Sequence, residues 1–87
     1  MTYAVKVTAS ADRDLGKLSA PIRKRIILKI ASLADDPRPS GAEKLKGFRS
    51  VWRVRVGDYR IIYEIEDDIL YVYVVRIGHR RDVYRNL

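Results

Sequence analysis

Residues 51–77, VWRVRVGDYRIIYEIEDDILYVYVVRI, alternate apolar with other side chains at a period of two over most of their length, interrupted by the polar pairs Gly57-Asp58 and Asp67-Asp68. A period of two belongs to a β-strand whose successive side chains point to opposite faces. Two-residue polar connections fit antiparallel hairpins. The run therefore predicts strands over 51–56, 59–66 and 69–77, each antiparallel to the next, and anything else in the chain has to pack on that sheet.

The first half supplies the packing elements. Residues 3–8 alternate as a further strand. Ser10 is placed to cap a short helix ending near Leu18, and Ser19-Ala20-Pro21 restarts the chain as a second helix. There Ile22, Ile26, Ile30 and Leu33 recur at three- and four-residue spacing, an apolar stripe with Arg23, Lys24, Arg25 and Lys29 largely on the wet side. DDPRPSG ends it. The expected fold is α+β, in the order β-α-α-β-β-β: two N-terminal helices on a small, mainly antiparallel four-stranded sheet, as one domain over 1–87.

Length and composition agree with this. A chain of 87 residues, 47% hydrophobic and 33% charged, has room for one small core and no second module. It has no cysteine, so neither disulfides nor a thiolate zinc site can hold it together. No apolar run approaches the roughly 18 residues of a membrane span, and no signal peptide is visible, so a cytoplasmic location is expected and no membrane contact.

The formal charge of +7 calls for an anionic partner. Residues 1–43 hold eight Lys or Arg against five Asp or Glu, and residues 44–87 hold ten against six, so neither half is a basic tail. The cations instead gather as Lys44, Lys46, Arg49, Arg53, Arg55 and Arg60, and as Arg76, Arg80, Arg81 and Arg85. Parity puts Trp52, Val54 and Val56 on one sheet face and Arg53 and Arg55 on the other. Arg60 interrupts the row Tyr59, Ile61, Tyr63, Ile65 and falls opposite it. If the two basic faces are continuous, three guanidiniums converge. The last strand is apolar on both faces, so parity cannot orient it, and a central place is expected. A charged face that discourages edge pairing would account for Arg53 and Arg55. Arg80 and Arg81 just beyond the last strand favour a phosphate-binding groove, for which the planar guanidinium fork is suited.

The succession EKLKGFRSVWRVRVGDYRIIYEIEDDILYVYVVRIGHRRDVYRNL resembles the RelE branch of the RelE/ParE toxin superfamily. The points of likeness are the LKG turn, the basic alternating strand, the G-x-YR-x-x-Y strand, and a closing G-x-R followed by a tyrosine. The resemblance extends over essentially the whole chain. It implies the toxin of a type II toxin-antitoxin system, an mRNA endonuclease that acts in the ribosomal A site against 16S rRNA and is held inactive by a cognate RelB-like antitoxin.

Residue by residue, the resemblance implies that Arg53 and Arg55 flank the scissile phosphate, where relatives often carry lysine. Arg60 would stabilise transition-state charge, Arg80 would assist the leaving group, and Tyr84 would stack on a base. Lys44, Lys46, Arg49, Arg81 and Arg85 are candidate contacts to RNA and ribosome. Arginine stays protonated and is a poor general base. His79, the single histidine, is the side chain with a near-neutral reference pKa, and it is open to either an acid/base role or a structural one. RNA brings its own 2′-OH nucleophile, so no metal and no other cofactor is expected. The acidic residues 64 and 66–68 are explained by strand alternation and a polar turn. Two other classes share these features: a ParE-type toxin that poisons a topoisomerase without cutting RNA, and a plain RNA-binding module.

Overall fold

The computed structural model describes residues 2–83, so the candidate residues Tyr84 and Arg85 lie outside the described part. Its elements are β1 (Ala4–Val7), α1 (Ala9–Gly16), α2 (Ala20–Ser32), β2 (Glu43–Lys44), β3 (Val51–Val56), β4 (Tyr59–Glu66) and β5 (Tyr71–His79). They form one sheet in the order β1-β5-β4-β3-β2, antiparallel except for the parallel pair β1–β5. The α+β class and the central place of the last strand match expectation. The sheet has five strands where four were expected. The extra one, β2, is only two residues long, too short to show a period. Among the described residues no helix is long and apolar enough to cross a membrane.

Both helices lie on one face of the sheet. From α2 come Ile26, Ile30 and, just past its end, Leu33; from α1 come Ala11 and Leu15. These meet Val54 of β3, Ile61, Tyr63 and Ile65 of β4, and Val72, Val74 and Ile77 of β5. Ile26, Leu33, Ile61, Tyr63, Val72 and Val74 are fully buried. Each such aliphatic side chain contributes roughly 1.5–3 kcal/mol of burial free energy, which makes this face the source of the fold's stability.

Three local details depart from expectation. The cap of α1 is Thr8, whose Oγ1 accepts the Ala11 N–H at 3.2 Å, so Ser10 sits inside the helix. Residues 67–70 form a four-residue connection, with Leu70 at φ 55° and Ile69 outside the strand. Aspartates at 67 and 68 therefore open the turn without completing it. The turn between β3 and β4 is the expected two residues, with Gly57 alone of the pair at positive φ (60°), as a type II′ hairpin requires. Finally, the β4–β5 register shifts at Ile62/Tyr63: Tyr63 pairs with Val74 and Ile62 with Arg76, leaving Val75 as the extra residue of a bulge.

The end of the sheet away from Gly57 is tied down by the 33–42 connection. Tyr63, buried in β4, donates its hydroxyl hydrogen bond to the Pro37 carbonyl at 2.7 Å. Arg38 makes a two-pronged contact with Asp67 (3.2 and 2.8 Å) and lies 5.1 Å from the Trp52 ring centre, and Tyr3 donates to the same carboxylate at 2.6 Å. Burial pushes the Tyr63 hydroxyl up to about 12, against the field of Arg38 and with that of Asp36. The fold thus favours the neutral phenol. Its contribution is complete below the unfolded value near 10 and is lost as pH rises from there through about 12. Tyr63→Phe is expected to lower stability by about 1–2 kcal/mol at pH 7 in urea titrations at unchanged m-value, and to flatten the loss of stability above pH 10.

Candidate functional site

The helix-free face is organised by cross-strand register. One row runs Arg55 (β3), Arg60 (β4), Gly78 (β5), and the next runs Arg53, Ile62, Arg76. The convergence of Arg53, Arg55 and Arg60 left conditional by parity is present. Arg55 is exposed and Arg60 half-buried, and Arg60 donates through Nη1 to the carbonyl of Tyr59 at 3.4 Å. No described carboxylate forms an ion pair with either. Like charges directly opposed on neighbouring strands cost stability, of the order of 0.2–1 kcal/mol. The fold bears that cost here. Arg53 differs: its Nη2 lies 3.1 Å from Glu43 Oε2, a pairing with β2 that sequence reading missed because a two-residue strand gives no register.

Arg80 reaches the same end of the sheet by way of the turn after β5. Its N–H donates to the Asp58 carbonyl in the β3–β4 hairpin at 2.9 Å, and the N–H groups of Asp82 and Val83 both donate to His79 O (2.8 and 3.0 Å). The turn brings Val83 over Gly78. A Cβ on Gly78 would stand 3.5 Å from that of Val83, which is almost fully buried although outside the main core. Ile62 is the other such residue, so the basic face has a small apolar floor.

His79 faces elsewhere. It pairs with Tyr59 on the helix side of the sheet, their rings edge to face at 5.6 Å, and its Nδ1 accepts the Arg81 N–H at 3.3 Å. It borders a cleft of about 360 Å³ lined by Asp14, Tyr59, Arg76, Asp82 and Val83 among others. The remaining candidates are dispersed. Lys44, opposite Trp52, is exposed, as is Lys46. Arg49 stands at the far end, in a cleft of about 490 Å³ with Glu64, Glu66, Asp67 and Asp68. Arg81 is exposed in the last turn. Among the described residues no three of His, Asp and Glu converge as metal ligands. Within the acidic group the Glu64 carboxyl is raised, by burial first and then by Glu66 beside it.

Residues 5–84 match the model of the family described as the ParE toxin of type II toxin-antitoxin systems. The chain belongs to that family. Its relatives include Toxin RelG of Mycobacterium tuberculosis, 33% identical over 86 residues, covering 98% of this chain and 99% of that one. The mRNA interferase toxin RelE of Escherichia coli K12 is 26% identical over 82 residues, covering 92% of this chain and 85% of its own. Among solved structures, the archaeal RelE–RelB complex of Pyrococcus horikoshii superposes with a TM-score of 0.82 at 26% identity, over 95% of this chain and all of that one. The two helices on a mixed sheet are the fold of these RelE toxins.

Because Arg55 and Arg60 oppose each other unpaired, Arg55→Thr is expected to stabilise the fold by up to about 1 kcal/mol in urea titrations at low salt. The gain should shrink towards zero in about 1 M NaCl, where the Debye length is roughly 3 Å.

Proposed function

We propose that this toxin is a ribosome-dependent mRNA endonuclease, working by metal-free attack of the substrate's own 2′-OH. The observation that carries the reading is the row Arg55–Arg60 with Arg80 in the adjoining turn: guanidiniums held at one end of a rigid sheet, two of them directly opposed at a cost to stability. A relative named as an mRNA interferase supports it.

In the reaction the 2′-oxygen attacks the adjacent phosphorus, the bond to the 5′-oxygen of the next nucleotide breaks, and a 2′,3′-cyclic phosphate and a 5′-hydroxyl result. Arg60 and Arg55 bind the nonbridging oxygens, whose charge grows in the phosphorane, and Arg80 stands by the departing 5′-oxygen. Arg53, held by Glu43, orients the neighbouring backbone. Tyr84 stacks on a base. No arginine is suited to remove the 2′-OH proton. His79 lies across the sheet from the row, with Nδ1 committed to the Arg81 N–H, and serves to cap the turn. Alignment and proton transfer therefore fall to the ribosome, and naked RNA is a poor substrate. Lys44, Lys46, Arg81 and Arg85 add attraction to rRNA. The partner that restrains the toxin is a RelB-type antitoxin, as in the complexes of M. tuberculosis and P. horikoshii relatives.

Membership in the ParE toxin family favours a second reading, a ParE-type toxin; such a toxin would act on a topoisomerase and leave RNA uncut. Toeprinting on programmed ribosomes separates the two. Cleavage within the A-site codon is expected. Intact mRNA together with DNA damage in arrested cells would replace this reading with the second. Arg60→Ala and Arg80→Ala should each lower the single-turnover rate by about two to three decades. Full activity of the folded double variant would remove the catalytic assignment. His79→Ala should lose less than about tenfold, and a loss of a hundredfold or more with an altered pH profile would return it to acid/base chemistry.

A further inference from the structure

Strand β1 accompanies β5 only as far as Val74, where the Thr8 N–H donates to the Val74 carbonyl at 3.0 Å and the chain turns into α1. From Arg76 onward the outer edge of β5 has no neighbouring strand among the described residues, yet this half leads into the turn that carries Arg80. A carboxylate fills the gap. Asp14 Oδ2, from the last turn of α1, accepts both the backbone N–H of Ile77 at 2.9 Å and Nε of Arg76 at 3.0 Å. The side chains of Asp14 and Arg76 are only 12% and 24% exposed, so both bonds are shielded from water and make a firmer contact than the surface pair Arg53–Glu43 at 33% and 60%.

The placement of Asp14 is otherwise unfavourable. A negative charge in the last turn of a helix opposes the helix dipole, at a cost of about 0.3–1 kcal/mol, which the two charge-assisted bonds offset. The same contact draws the Arg76 guanidinium toward the sheet edge, although register places Arg76 in the row of Ile62 and Arg53. On its other edge the segment is held by Arg80 N–H to Asp58 O at 2.9 Å. The end of β5 is therefore clamped from both sides, by α1 on one and by the β3–β4 hairpin on the other.

We infer that Asp14 is a positioning residue for the basic site: as a surrogate strand partner for Ile77 it fixes the end of β5, and so sets Arg80 against the Arg55–Arg60 row. This rests on the catalytic reading of Arg80 given above. Asp14 touches no RNA and acts through Arg80.

The test uses the purified full chain in single-turnover cleavage on programmed ribosomes, with amide hydrogen exchange alongside. Asp14→Ala should lower the rate at saturating toxin by about tenfold or more while leaving the half-saturating concentration within about threefold, since misplacement impairs chemistry more than binding. In an Arg80→Ala background the same change should cost less than about twofold, the non-additivity of residues acting through one another. Exchange at the Ile77 and Arg80 amides should quicken by about tenfold or more with Ile61 unaffected. Asp14→Asn combined with Arg76→Leu gives up the ion pair but retains an acceptor for Ile77, and should stay within about threefold of wild type in rate. It also keeps the proposal open to refutation where Asp14→Ala does not fold. An unchanged rate in Asp14→Ala, an equal loss with and without Arg80, unaltered exchange, or an Asn/Leu loss as large as that of alanine would each overturn the clamp. A wild-type chain that cuts no mRNA would instead sink the reading of Arg80 and with it the catalytic purpose of Asp14, while exchange would still report whether the clamp exists.

Discussion

A single extra residue in β5 lets one strand meet two demands. Up to Val74, the even-numbered residues Val72 and Val74 face the helices and build the core. Had the alternation run on unbroken, Arg76 and Gly78 would also have faced inward, and a guanidinium would have been buried among aliphatic side chains. Transfer of an unpaired charge into such surroundings costs far more than a domain of this size can absorb. The bulge at Val75 reverses the parity, so that Ile77 takes the core position opposite Ile61 while Arg76 and Gly78 pass to the open face. That one insertion lets β5 serve the core and the open face in turn, and it is what brings Gly78 into line with the Arg55–Arg60 pair.

The open face then carries the opposed guanidiniums of Arg55 and Arg60, which no described carboxylate neutralises. The stability that tolerates them comes from the other side of the sheet, where Ile61, Tyr63 and Ile65 of the same β4 are buried against the helices. The phosphate recognition proposed for this face would need the reverse of what folding prefers: cations close together, unneutralised, on an element that cannot give way. Placing them on strands with a continuous apolar underside satisfies that need. Glycine at 78 completes the arrangement, because the third place in the row holds no side chain and Val83 can settle over it.

Much of this was legible in the chain. The period of two located β3 and β4 to the residue, the three- and four-residue spacing found the buried stripe of α2, and parity put Arg53 and Arg55 on one face; that Arg60 shares it was conditional in the sequence and is fixed by the β3–β4 register. Apart from the Thr8 cap and the longer 67–70 turn, which are local, what escaped depends on contacts between distant segments. Neither Glu43 with Arg53 nor Asp14 with Arg76 has any local signature, and β2 is too brief to have one. The ambiguity of the last strand was real. Before the bulge Val72 and Val74 face the core while Tyr71 and Tyr73 stack on each other at 5.5 Å on the open face, and after it Ile77 takes the core position, so neither parity holds along the whole strand. His79 was left between two roles because sequence offers its reference pKa and not its side of the sheet, and it lies on the helix side.

The two ends of the sheet are consequently held by different means. At the far end, Asp67 receives Arg38 and Tyr3, and these partners, the arginine first, keep its carboxyl below the ordinary carboxylate range. A depressed pKa means that the contribution is present above the unfolded value near 3.8 and fades as pH falls through the folded one, so this anchor is intact at neutral pH. At the site end no comparable network of described residues gathers around Arg55 and Arg60, and a carboxylate network there would neutralise them. Order there has to come from beneath and from the side: from the apolar floor of Ile62 and Val83, from the hairpin carbonyl of Asp58, and from a carboxylate on α1 that grips the backbone of β5 at its edge. A site made of mutually repelling cations can be rigid only if what holds it attaches to the main chain rather than to the charges themselves.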